Sequence, residues 1–214
     1  MNRVNQDLED QQSITAIIKY LSRDARTGQR ALHENDLTVA MLEILKELAG
    51  DADFAALVER ACRFVPTLSQ PLFSRLIMHS GDTRLYLNGV NRSSPIPVHD
   101  HPATTAMQLV LHGNMRITHY RHNSEAHSRI TRLHCSSQRE LTPGCYDFID
   151  NANNIHGVEA LTQHAVMLNL KRASKKAHEY KHWFLPAFAN NADGQFWHRV
   201  RGRQVFSRGG CSDV

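Results

Sequence analysis

Pro95-Ile96-Pro97-Val98-His99-Asp100-His101-Pro102 is the stretch on which the reading of this chain turns. Successive residues of a strand point to opposite faces, so His99 and His101 project side by side, as two ligands of one metal ion do. In 214 residues with fourteen histidines a bare His-x-His has a high false-positive rate, and its surroundings must decide. Downstream, the apolar run ends in His112-Gly113-Asn114, a glycine turn that lets the chain double back. A third histidine, His156, follows the Thr142-Pro143-Gly144 turn and the polar Asp150 to Asn154 loop, where another strand enters. Three neutral imidazoles converging on a divalent metal leave coordination positions open, the requirement of a catalytic rather than a closed structural site.

Around this stretch the chain consists of short apolar or alternating runs: Leu72 to His79, Arg84 to Val90, Pro97 to His101, Ala106 to Leu111, Met115 to Tyr120 and Ser128 to His134. Further runs occupy Cys145 to Ile149, His156 to Leu161 and His164 to Lys171, with turn residues between them. Regular short strands at this spacing predict a mainly β fold, a sandwich or small antiparallel barrel able to hold one small ligand.

Upstream, apolar residues recur at three and four spacings through Ile14, Ile17, Ile18 and Leu21, and again from Leu37 to Leu48, so residues 11 to about 63 are predicted helical. Asp36 is the expected N-cap of the second helix and Gly50 its stop; Asp51 or Asp53 opens a third, and Pro66 closes the region. Three parts are expected: residues 1–65 as a helical segment packed on the barrel, 66–172 as the barrel with the metal site, and 173–214 as a basic extension. Trp183, Phe184, Leu185 and Phe188 are expected to dock that extension on the barrel.

Composition narrows the function. No apolar run is long enough for a membrane span and no secretory leader is evident, so no membrane partner and a cytoplasmic location are expected. The net charge of +4 gathers late in the chain without interleaved aromatics, and is read as a solvated face, with no nucleic-acid partner expected. Cys62, Cys135, Cys145 and Cys211 are too scattered for a Cys-x-x-Cys site and are read as buried or incidental thiols. No Gly-x-Gly-x-x-Gly, Walker loop, Gly-x-Ser-x-Gly or His-Glu-x-x-His is present in the sequence. His119, His122, His127 and His134 are expected on outer strand faces, with no second metal.

The order of His-x-His, glycine turn, Pro-Gly turn and distant histidine resembles the two motifs of the cupin superfamily. Within it the chain is most similar to thiol dioxygenases of the cysteine dioxygenase type. The resemblance rests on Phe73-Ser74-Arg75, Ile96 to His101, Leu111 to Asn114, and Ile155-His156-Gly157-Val158-Glu159 followed by Ala165 to Leu168, and covers roughly residues 65 to 172. It implies a cupin-like antiparallel β-barrel of jelly-roll type and one Fe(II) per chain on His99, His101 and His156. It also implies a carboxylate-gripping role for Arg75, a task suited to a planar, permanently charged fork. Phe73, Asn88 and Val90 match other pocket positions.

The departures matter as much. The glutamate ligand of many cupins, and the cysteine that crosslinks to tyrosine in many cysteine dioxygenases, both fall at or near Ala106. The family's Ser-His-Tyr relay falls on Met167, Asn169 and Lys171. Asn169 and Lys171 can orient oxygen or a substrate anion but cannot reproduce a tyrosine's acidity, and Gln108, inward by alternation from Ala106, can hydrogen-bond metal-bound water. The expected activity is an iron(II)-dependent oxygenase that uses O2 on a small carboxylate-bearing thiol or amino-acid-derived substrate. The alternatives are a divergent cupin oxidation of an amino-acid-derived metabolite and a non-catalytic ligand- or metal-binding cupin.

Overall fold

The structure is a computed structural model that describes residues 34–122, 130–173, 182–186 and 195–201. Two helices, α1 (Glu34–Leu48) and α2 (Ala52–Cys62), precede β1 (Phe73–Ser80), β2 (Thr83–Asn91), β3 (Ile96–Asp100), β4 (Thr104–His112) and β5 (Met115–His122). They are followed by β6 (Ile130–Leu141), β7 (Tyr146–Ile149), β8 (Ile155–Ala160), β9 (His164–Ala173), β10 (His182–Pro186) and β11 (Gln195–Arg201).

The strands form two antiparallel sheets, one in the order β1-β2-β9-β4-β7 and one in the order β10-β11-β6-β5-β8-β3. The fold is therefore a mainly β, jelly-roll-like sandwich rather than one barrel that runs through both sheets. Alternation fixes which face of a strand is apolar but not which strand it bonds to, so the expected single barrel and this sandwich give the same sequence pattern. The second sheet alone closes on itself, through the pairing of Trp183 on β10 with His99 on β3.

Three apolar layers hold the sheets. Val90, Val110, Met115, Ile117, Leu141, Val158, Ala160, Ala165 and Met167 fill the space between the sheets. On the outer face of the first sheet, Leu37, Ala40, Met41, Ile44 and Leu48 form the buried stripe of α1 and pack with Leu85, Leu87, Leu168 and Leu170. Each large apolar side chain buried there contributes about 1.5–3 kcal/mol relative to exposure. Under β10 and β11, Val98, Leu133, Ile155, Phe184 and Trp197 form a third cluster.

Local chemistry sets the element ends. Asp51 caps α2, its Oδ1 accepting the backbone N–H groups of Asp53 and Phe54 at 2.8 and 3.0 Å. Asp36 is not the cap of α1: that helix begins at Glu34, and Asp36 lies buried in its first turn, where a carboxylate still favours the helix dipole. Gly113 takes φ +68°, and a Cβ there would sit 2.1 Å from the His164 carbonyl oxygen, so only glycine fits this turn. The helix predicted around Ile14 to Leu21, together with His127, Phe188 and Cys211, falls outside the described residues. Cys135 and Cys145 are exposed and Cys62 half-buried, so none of these three is a core thiol.

Candidate metal centre

Strand register builds the site. His99 on β3 pairs with His156 on β8, and His156 pairs on its other side with His119 on β5. Residues in register share a face, so the three imidazoles stand in one row on the second sheet. His101, two residues beyond His99, returns to the same face, and its backbone N–H donates to Asn154 O at 2.8 Å, which ties the end of β3 to the loop that delivers His156. His99 and His156 are buried and His101 is half-buried.

The ligand atoms of His99, His101 and His156 lie within 4.8 Å of one another, and the ring centroids form a triangle of 4.6, 4.8 and 5.0 Å. His99 Nδ1–H donates to Pro97 O at 2.8 Å, which fixes the tautomer and turns the Nε2 lone pair inward. That Nε2 faces His101 Nε2 at 2.8 Å. Two ligands about 2.1 Å from a common ion lie about 3.0 Å apart at a right angle and about 3.4 Å apart at the tetrahedral angle. The 2.8 Å between His99 Nε2 and His101 Nε2 is close to such spacings, so the pair can share one ion, and three protein ligands would leave further coordination positions open. A neutral, all-nitrogen donor set of this kind suits iron and equally zinc, nickel or copper, so the residues fit a divalent metal without selecting one.

The opposing sheet supplies a polar floor. Asn169 on β9 is in register with Gln108 on β4, and Gln108 with Asp147 on β7. All three are buried, at 8, 3 and 3 % exposure. Lys171 continues the same face, paired with Ala106, and its ammonium lies 4.8 Å from the centroid of the Tyr86 ring. Burial, then the nearby Arg84 charge, pulls the Lys171 pKa down to about 8. Asn88 is buried beside Met167 and accepts the Ser74 hydroxyl at 2.8 Å.

Arg75 and Phe73 stand elsewhere. Phe73 belongs to the helix-side cluster, and Arg75, two residues on and in register with Leu87 of that same cluster, is exposed. Phe73 lines a cavity of about 350 Å³ with Glu59, Arg60, Arg63, Phe64 and Gln70, between α2 and β1. The geometry thus brings Asn88, Gln108, Asn169 and Lys171 to the inner face and leaves Arg75 and Phe73 on the outer one. The physical reason is parity: Ser74, not its neighbours, pairs with inward Asn88.

One site feature runs against the sequence reading and a second goes beyond it. His119, expected on an outer face, is 4 % exposed and its Nε2 lies 3.0 Å from both carboxylate oxygens of Asp147 across the gap between the sheets. Alternation inward from Met115 and Ile117 was the available signal. Trp183, from the expected docking segment, packs on His99 at 4.9 Å between ring centroids, and no local pattern links the two.

Residues 68–171 match the PCO_ADO family, that of the cysteine/cysteamine dioxygenase cupins. No curated protein matches the sequence. Among solved structures, KdgF from Halomonas sp. is 15% identical, with TM-score 0.38 over 50% of this chain and 83% of that one. A cupin superfamily protein from Desulfitobacterium hafniense is 16% identical, with TM-score 0.38 over 53% of this chain and 87% of its own. A cupin-2 domain protein from Shewanella frigidimarina is 14% identical, with TM-score 0.39 over 60% and 98%.

Proposed function

We propose that this chain, a cupin whose residues 68–171 match the cysteine/cysteamine dioxygenase family, is an iron(II)-dependent dioxygenase of a small thiol. The observation that carries the reading is the convergence of His99, His101 and His156 on one point, with no carboxylate among the three. Such a site stays positively charged when loaded and favours an anionic, soft ligand, which a thiolate is. Fe(II) held there would supply Lewis acidity toward the thiolate and a redox-active centre for O2, while the four electrons that O2 takes up come from the sulfur as thiol becomes sulfinate.

The chain's own residues do the rest. Pro97 O and the Trp183 ring fix the orientation of His99. Val110, Val158, Ala165 and Met167, buried between the sheets, keep water from the space beside the histidines. Ala106, small and buried where many cupins carry a ligand glutamate, leaves room for substrate. Gln108 and Asn169 orient the substrate or oxygen by hydrogen bonds, and Lys171 presents a donor to an oxyanion.

The test is oxygen uptake by protein loaded stoichiometrically with Fe(II) under anaerobic conditions, then mixed with O2 and cysteine, 3-mercaptopropionate or cysteamine. Uptake that needs both iron and a thiol, with a sulfinate product by mass spectrometry, is the expected result. Failure of all three thiols with iron in place would remove the proposal.

A further inference from the structure

His156 is the middle one of three histidines in register, flanked by His99 on β3 and by His119 on β5, so it has a second set of neighbours. That set is His119 and Asp147, and one ligand atom from each of them and from His156 all lie within 4.8 Å of one another. His119 Nε2 is 3.0 Å from each Asp147 oxygen, close to the spacing of two ligands that share one ion. The three side chains are buried, at 4 % exposure for His119, 3 % for Asp147 and 0 % for His156. Two further observations point to a cation. A buried carboxylate is ordinarily matched by a full positive charge or a metal, and among the described residues the Asp147 side chain is hydrogen-bonded only to a histidine ring. His119 Nδ1 is buried without a hydrogen-bond partner among the described residues, and so is Oε1 of Gln108, the residue in register with Asp147. Buried polar atoms of this kind are rare, and a ligand that draws on nitrogen and oxygen donors accounts for them.

We propose that His119, Asp147 and His156 form a second seat for a divalent cation, which shares His156 with the three-histidine centre. This goes beyond the thiol reading and does not depend on it. The donor set is of another class: two imidazoles and a carboxylate, with the Gln108 amide oxygen on the same face, against three neutral imidazoles. The carboxylate cancels one of the ion's two charges and hardens the site, which suits Mn(II), Fe(II), Co(II) or Zn(II). Asp147 belongs to one sheet and the two histidines to the other, so an ion in this seat ties the sheets together. It is the weaker seat. An ion there must displace the charge-assisted His119–Asp147 hydrogen bond, roughly twice as strong as a neutral one such as that between His99 and His101. His156 serves both seats, so the chain holds one ion, at the three-histidine centre while that is intact and at the second seat when it is disabled.

The experiment uses the full chain with His99 and His101 both replaced by Ala, titrated anaerobically with Co(II). Binding is read from the visible spectrum and from the rise in unfolding temperature that an ion bound to the folded state produces. One Co(II) per chain is expected, with an affinity at least about 100-fold below that of the wild type. Adding Asp147→Asn or His119→Gln to this chain should weaken Co(II) by at least about 10-fold more and remove the rise in unfolding temperature. In the otherwise wild-type chain, Asp147→Asn should leave Co(II) affinity nearly unchanged, because the ion there rests on the three histidines. Circular dichroism without metal shows which variants are folded, and the same series in His101→Ala alone keeps the test decisive if the double variant does not fold. A folded host that takes up no Co(II) at about 1 mM overturns the inference. Uptake that Asp147→Asn and His119→Gln leave unchanged overturns it as well, since the ion then sits elsewhere.

Discussion

His99 Nε2 and His101 Nε2 lie 2.8 Å apart, with the His99 ring held by its Nδ1–H bond to Pro97 O. With no ion between them, one ring donates its N–H to the other; with an ion, both lone pairs are used. Replacing His99, His101 or His156 singly with Ala is expected to lower metal affinity by more than about 100-fold, beyond the loss usual for an outer hydrogen-bond partner. Elemental analysis after anaerobic loading and dialysis checks this, and retention of one metal per chain in the His156 variant would refute the assignment.

Lys171 has a testable electrostatic signature. Its folded pKa, about 8, lies below the ordinary 10.5, because burial and Arg84 both disfavour the charge. The unfolded chain therefore binds more protons between these values, and stability rises as pH increases from 8 to 10.5. Lys171→Met should abolish that rise, which amounts to no more than about 3 kcal/mol. Urea unfolding of the two proteins at pH 7.5 and pH 10 measures it, and an unchanged slope in the variant would count against the buried ammonium.

Trp183 couples the metal ligand to the last part of the chain. Trp183→Ala should cost about 3–5 kcal/mol through the cavity it leaves, and should loosen His99 as well. The expected readouts are a lower unfolding midpoint and faster metal loss to a chelator than in Phe184→Leu, which perturbs the neighbouring cluster without touching His99. Equal chelation rates would show that the ring contact is incidental.

Backbone geometry gives a pair of opposite predictions. Gly113→Ala puts a Cβ against the His164 carbonyl at a φ of +68°, and should destabilise by about 2 kcal/mol or more. Ala103 already holds φ +50° just after the His-x-His pair, so Ala103→Gly should relieve strain and stabilise by about 1 kcal/mol. Thermal unfolding should separate the two variants in opposite directions, the second by about +2 to +4 °C.

Much of this was legible in the sequence because it depends on periodicity. Eight of the strands from β1 to β9 fall within two residues of the runs that alternation and turn residues mark, while β6 continues to Leu141, seven residues beyond the expected His134, and Gly81, Gly113 and Gly144 all take positive φ at turns between strands. The three histidines converge as their spacing implied. What escaped depends on parity and on distant partners. Arg75 is in register with Leu87 on the helix-covered face of the first sheet and Ser74 with Asn88 on the other, so one position decides which face of β1 a side chain joins. Strands β10 and β11 were missed because a polar, basic segment with scattered aromatics pairs only through tertiary contact with β3 and β6. Alternation from Met115 and Ile117 turns His119 inward, but what makes a histidine tolerable there, the Asp147 carboxylate 28 residues away on the opposite sheet, leaves no local mark in the sequence.

Asp100, between the two ligand histidines, faces the other way from them, and its two oxygens accept the backbone N–H and the ring Nδ1–H of His182, each at 2.7 Å. A fragment that stopped at residue 172 would strand this carboxylate in a largely enclosed position and bare the edge of β3, the strand that carries His99. A cut or fusion that is to keep these bonds and the covered edge of β3 therefore leaves the chain intact through Arg201, with a tag placed after it rather than in place of it.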